Sequence, residues 1–227
     1  MSDSGSTLRL VRLLHLASPA LPIGAFHFSQ GLEYAIERGW VCDEAAASMW
    51  IAGLAEHVIG RHDLPVLKRM LEAFECDDIA AARRWNAFLL AGRETSELRA
   101  EDEHMGAALA RVVAEHGCDF ARHAIGRPTY AVVFAFACRS YGATSRETLS
   151  TYAWTWLENQ VLAAIKLVPL GQSAGQRILH KVGESLPAIV DRAHEYADDD
   201  IGIGIGALMQ AIASALHETQ YTRLFRS

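Results

Sequence analysis

The sequence predicts an all-α protein, one domain over residues 1–227 built as a single bundle of roughly eight to ten helices. Three observations carry that expectation. Alanine occurs 37 times and aromatic residues make up only 8% of the chain, so a hydrophobic fraction of 51% is mostly Ala, Leu, Val and Ile, a mixture suited to thin, closely packed helices. Apolar residues recur at helical spacing in one segment after another. No low-complexity linker and no internal repeat of roughly 20 to 50 residues divides the chain, which is long enough to hide about 70% of its unfolded surface without staples.

Leu10, Leu13, Leu14 and Ala17 form the first stripe, a short amphipathic helix closed by Ser18-Pro19, because the residue before proline avoids the helical region. Ser18 to Gly24 carries two prolines and a glycine, so it is a loop, yet it is apolar enough that it must pack. Gln30 to Arg38 reads as a short helix stopped by Gly39. Asp43 caps a long one with Trp50, Leu54 and Val58 on one face. Asp63 is placed to cap the next, through Leu67, Leu71 and Phe74.

Ile79, Ala82, Asn86, Leu89 and Leu90 mark a further helix; Leu98, Met105, Leu109, Val112 and Val113 mark another, ended by Gly117. Glu94, Glu97, Glu101 and Glu103 crowd the start of the latter, as the macrodipole prefers, and read as a solvated face. Pro128 to Tyr141 mixes strand-like composition with helical spacing, and its length favours helix. Thr144 and Glu147 make a capping box for a helix that Pro169 ends. Helices follow from Gly171 to about Ala197, with Gly171-x-x-x-Gly175 expected to permit close helix packing. Ile201 to Gly206 breaks the pattern, its glycines allowing a bend or close approach, and a last helix starts near Ala207.

A formal charge of −6 is no nucleic-acid footprint. Leu8 to Ala17 is apolar but interrupted by Arg9, Arg12 and His15, and nothing approaches the ~18 apolar residues of a membrane span. Cys42, Cys76, Cys118 and Cys138 form neither a C-x-x-C pair nor a secreted-type framework, which fits a reducing cytoplasm. Glu115, His116, Cys118, Asp119 and His123 gather metal-type donors, but at spacings that match no zinc pattern, and Gly117 would break the helix needed to align them. His57 and His62, five apart, point in different directions. No phosphate-cradling loop is present. The stretch from His217 to Ser227 is unusual for a chain end, holding Tyr221, Arg223, Leu224, Phe225 and Arg226. Tyr and Arg anchor protein interfaces, so it reads as docking either onto a partner or back onto the body. Arginine outnumbers lysine 18 to 3, a slight further sign of an interaction protein.

Five segments together resemble one family. They are Leu16 to Ala35 (LASPALPIGAFHFSQGLEYA), Arg93 to Arg99 (RETSELR), Trp156 to Gln160 (WLENQ), Pro169 to Gln176 (PLGQSAGQ) and the tail from His217 to Ser227. In this order they are similar to the UreF family of urease accessory proteins. The stretch from Ile201 to Gly206 departs from the family's glycine, bulky residue and proline before the last helix.

The resemblance implies an all-α cytoplasmic protein with no catalysis and no cofactor of its own. It would work as a homodimer between the accessory protein UreD (UreH in some species) and the GTP-hydrolysing nickel carrier UreG, on apo-urease, with no nucleic-acid or membrane partner. It further implies partner-binding roles for Gly24, Phe26, Phe28, Glu33, Tyr221, Arg223, Leu224, Phe225 and Arg226. In that scheme Tyr221, Arg223, Leu224 and Phe225 order on UreD, with the Leu and Phe side chains buried. Arg223 braces the Gly24–Phe28 loop into the face that receives UreG. Two alternatives stand beside it: activation of the GTPase by an inserted arginine, Arg223 or Arg226, and a nickel-binding chaperone using the histidines near Glu115 to His123.

Overall fold

Five side chains set the helix starts. Asp43, Asp78, Thr95, Thr129 and Thr144 each accept a hydrogen bond from the backbone N–H three residues on, satisfying a donor that the first helical turn leaves free. At Thr144 the bond is reciprocated by Glu147, closing the predicted capping box. The computed structural model describes residues 3–198 and 206–227. In order these give α1 (Asp3–Leu16), α2 (Leu32–Glu37), α3 (Glu44–Leu54), α4 (Leu64–Glu75), α5 (Ile79–Ala91) and α6 (Ser96–Glu115). There follow α7 (Tyr130–Ser140), α8 (Ser145–Leu167), α9 (Gln172–Gly183), α10 (Leu186–Asp198) and α11 (Leu208–His217). Ala25–His27 and Ala121–His123 are single 3-10 turns, and no strand occurs among the described residues.

α7 explains the arrangement of the rest. Every residue from Tyr130 to Cys138 is buried, and a helix apolar on all sides must be surrounded. α4 and α6 flank it, while α5 and α8 complete the enclosure. α8, 23 residues and so about 35 Å long, runs on to carry α9 and α10 and to meet α1, α2 and α3. One hydrophobic core links all of these. Gly175 is where α9 closes on α8: a Cβ there would overlap the Ile165 side chain, as expected of the Gly171/Gly175 pair, although Gly171 itself meets nothing and serves as the cap of α9.

Two expectations fail. Asp63 caps nothing: α3, a π-helical segment Ala55–Asp63 and α4 run without a break, and Asp63 has helical dihedrals. Pro65 lacks an N–H and its ring crowds the carbonyl four residues back, and the wider π winding falls just before it. The Asp63 carboxylate, released from capping, turns inward. In α1, Leu13 and Leu16 are buried while Leu10 and Leu14 are exposed. Arg9, half-buried, pairs with Glu147, and the exposed Arg12 stacks on the Tyr141 ring, so polar anchors join Leu13 and Leu16 in holding this helix. The glycine bend over 201–205 lies outside the described residues.

Candidate functional site

Glu33, on the first turn of α2, is buried and its carboxylate receives the tail. Its Oε1 accepts from the Leu224 N–H at 2.6 Å and its Oε2 from the Phe225 N–H at 2.8 Å. Oε2 also lies 3.1 Å from Nε2 of His217, the last residue of α11, whose Nδ1 lies 2.7 Å from Glu97 Oε2 on α6. The His217 imidazole is fully buried between these two carboxylates. Glu97 Oε1 in turn accepts from Arg223 at 2.8 Å. α2, α6 and α11 thus supply one buried cluster that grips residues 223–225 by their backbone and one guanidinium. Gly31 lets α2 start this close to α11: its φ is +84° and a Cβ would press on Ser214 N.

Beyond that grip the tail runs along the loop after the first helix. The Arg226 N–H donates to His27 O at 2.8 Å and the Ser29 N–H to Ser227 O at 2.7 Å. Ser227 Oγ donates to Glu101 Oε2 at 3.0 Å. The brace expected from Arg223 therefore comes from the backbone of residues 226 and 227, while Arg223 itself is tied to Glu97. Burial sorts the sequence-predicted residues into two sets. Phe28, Glu33 and Phe225 face inward; Phe26, Tyr221, Arg223, Leu224 and Arg226 face outward, with Tyr221 fully exposed and Leu224 at 69%. Leu224 is left in solvent while Phe225 is buried: the chain bends at these two residues, so that both N–H groups reach the Glu33 carboxylate and only the Phe225 side chain packs inward. Gly24 has φ +76° beside His104. The Lys166 ammonium sits 5.5 Å over the Phe26 ring and 5.8 Å over that of Phe225, joining loop and tail.

Behind the tail lies a cavity of about 60 Å³, enough for a few waters, lined by Asp63, Arg93, Glu101, Asp102, Tyr152 and Gln160 among others. Arg93 sits between two aspartates: its NH1 and NH2 donate to Asp63 Oδ1 and Oδ2 at 2.9 and 2.7 Å, and its Nε to Asp102 Oδ2 at 2.6 Å. Tyr152 OH donates to Asp63 at 3.3 Å. Burial alone would raise Asp63, but the Arg93 charge and hydrogen bonds, with His62, outweigh it and hold that carboxyl below its usual range. Asp102 is pushed up by burial, which Arg93 only partly offsets. Glu101 is pushed up to about 7, again by burial first, against the pull of hydrogen bonds from Gln30 and Ser227. The Tyr130 hydroxyl and Gln160 Oε1 are buried without a protein partner and border the same space.

Glu97 and Glu101 correct the reading of a solvated acidic face, since both carboxylates are turned inward. Gln30, Glu97, Glu101, His217 and the Asp63–Arg93–Asp102 group were not picked out from sequence. The signal available was that Arg93 and Glu97 fall inside the RETSELR segment, Gln30 inside Leu16 to Ala35, and His217 at the start of the tail segment. Among the described residues, the donors between Glu115 and His123 included, no group of three or more His, Cys, Asp or Glu is arranged to hold a metal ion. His116 Nδ1 donates to Val112 O at 2.8 Å, and His123 lies among the Phe74, Phe120 and Phe136 rings. His62 is buried on the Phe88 ring. All four cysteines are free, and burial pushes the Cys138 thiol up to about 12, which disables it as a nucleophile at neutral pH. No described helix is long and apolar enough to cross a membrane.

Comparison with known proteins gives a consistent result. The family model described as UreF matches residues 41–183. A protein of Teredinibacter turnerae named urease accessory protein UreF is 43% identical over 220 residues, covering 96% of this chain and 99% of that protein. One of Pseudomonas putida with the same name is 45% identical over 226 residues, covering 98% and 99%. A Bordetella bronchiseptica protein named bifunctional urease accessory protein UreEF is 46% identical over 233 residues, which span all of this chain and 54% of that longer protein.

Proposed function

The chain belongs to the UreF family of urease accessory proteins, and from that premise we propose that it is a non-enzymatic scaffold of urease maturation. It joins UreD to the GTPase UreG and controls the delivery of nickel, its cargo, to apo-urease, acting as a cytoplasmic homodimer. The observation that carries this reading is the division of the tail. Its backbone is fastened from inside by Glu33, while Tyr221 and Leu224, like Phe26 on the loop it runs along, are left in solvent. A rigidly held segment that displays an aromatic and an aliphatic side chain is a preorganised interface. The Bordetella relative supports a place in a larger assembly, since its name assigns it a second accessory function in the same chain.

Co-expression with UreD and UreG tests the proposal. The three proteins are expected to purify as one complex, and the double substitution Tyr221→Ala and Leu224→Ala is expected to lose UreD while leaving the fold intact. An undiminished complex would reject these side chains as the contact. The arginine-insertion reading is favoured by one observation: Arg226 is exposed and makes no ion pair among the described residues, whereas Arg223 is held by Glu97. An inserted arginine is worth ~10³ to 10⁵ in GTP turnover, so Arg226→Ala should cost that much if it inserts and little if it merely docks. Nothing in the structure favours the chaperone reading, since among the described residues the donors near Glu115 to His123 form no group arranged to hold a metal ion.

A further inference from the structure

Glu101 has its two oxygens in two different places. Oε1 accepts from Gln30 Nε2 at 2.7 Å, and Gln30 Oε1 accepts from Trp156 Nε1 at 2.9 Å, which fixes the amide with its NH2 toward Glu101. Oε2 accepts from Ser227 Oγ at 3.0 Å. The same carboxyl forms part of the wall of the cavity that holds Arg93 and Asp102. Of the two donors, Gln30 is anchored in the body and Ser227 travels with the tail.

We propose that docking of the tail and ionisation of Glu101 favour one another, so that the position of the tail sets the charge of the buried chamber. A hydroxyl donates about twice as strongly to a carboxylate as to a neutral partner. A protonated Glu101 could still meet Ser227 by donating to it, but only through the weaker neutral bond. Whatever favours the ionised form must, by reciprocity, be favoured by it. Two charges act on Glu101 from the body, Asp102 beside it, which opposes its ionisation, and Arg93 just before α6, which favours it; Asp63, from the π segment, and Glu97, one turn earlier on α6, are tied to Arg93 and to His217 and Arg223 respectively. The groups presented by α8 and by the segment before α2, Trp156 and Gln30, are neutral. Burial already places this carboxyl near neutrality, so loss of one donor is enough to change its protonation at working pH. On the scaffold reading, on which this last step rests, a partner that grips the tail is felt inside the chamber.

The test uses the full chain with no partner present, so that it fails or succeeds independently of complex formation. The Glu101 carboxyl is titrated by carbon-13 NMR in the wild type and in Ser227→Ala, with Glu101→Gln used for assignment. Amide exchange at Leu224 and Phe225 is followed from pH 6 to 8 and corrected for its intrinsic pH dependence. The midpoint of Glu101 is expected to rise by at least about half a pH unit in Ser227→Ala, roughly a threefold change in the ionisation equilibrium. Wild-type tail protection is expected to increase through the same range and to stay flat in Glu101→Gln. If Ser227→Ala does not fold, Glu33→Gln loosens the tail without touching Glu101 and is expected to raise its midpoint likewise. A midpoint that stays in place while the tail is loosened overturns the proposal, as does tail protection indifferent to pH in the wild type.

Discussion

Replacing Glu33 by alanine removes the part on which the tail depends most. Three donors converge on that carboxylate: the N–H groups of Leu224 and Phe225 and Nε2 of His217. Hydrogen bonds to a charged group contribute about 1.5 to 3 kcal/mol each, and a buried donor left without a partner costs about 1 to 3 kcal/mol. The two backbone bonds alone therefore account for about 3 to 5 kcal/mol of tail docking, since the contributions of neighbours are not fully additive. The burial of Phe225, about 1.5 to 3 kcal/mol, persists only while the backbone holds its register. Opening of the tail should thus become at least ~100-fold more frequent, at ~1.4 kcal/mol per factor of ten. Hydrogen exchange of the Leu224 and Phe225 amides measures this directly, and helical content by circular dichroism should stay unchanged. Protection within about threefold of wild type would show that the tail is held by something other than this cluster, and the account of the site would be wrong.

Arg93→Ala leaves Asp63 and Asp102 buried without their shared cation, which should cost about 3 to 5 kcal/mol. In a chain of this length that lowers Tm by about 10 °C, read by calorimetry. Glu101 gives a pH dependence of definite sign: its folded value, about 7, lies above the ordinary 4.5, so its contribution is fully present below about pH 4.5 and is lost as pH rises to 7. Denaturant unfolding of Glu101→Gln should therefore lack up to about 3 kcal/mol of the decline that the wild type shows over that range. Tyr221→Ala should leave Tm within about 1 °C of wild type, because the side chain is fully exposed. The same variant should weaken capture of UreD in a pull-down; a large loss of stability instead would mean that Tyr221 packs on its own chain.

The helices were legible because their signals are local. Asp43, Asp78, Thr95, Thr129 and Thr144 sit three residues from the N–H groups that they satisfy. The apolar run of α7 from Tyr130 to Cys138 announces its own burial, even where Thr-Tyr-Ala-Val-Val-Phe has strand chemistry. Asp63 was misread for the same reason. An aspartate before an apolar run has the local form of a cap, and nothing nearby in sequence reveals that an arginine 30 positions on will take its carboxylate.

The acidic stretch of α6 shows where such reasoning stops and what replaces it. Glu97 and Glu101 lie on one face, four residues apart, and in isolation water is the better solvent for them. What turns them inward is a set of donors about 120 to 130 positions later, His217, Arg223 and Ser227, together with Gln30 from the loop before α2. The two segments that stood out in sequence as apolar and unexplained, the loop through Phe28 and the tail, are joined directly by backbone bonds of residues 226 and 227 to His27 and Ser29, and further through the Glu101 carboxylate, which did not stand out. The apolar contact of Phe225 alone would let the tail slide, since hydrophobic burial has no direction. Two backbone N–H groups fixed on one carboxylate do not permit sliding, and they hold the bend that buries Phe225 and leaves Leu224 in solvent. The outward identity of Tyr221 and Leu224, on which the proposed recognition depends, is thus decided by the buried position of Glu33.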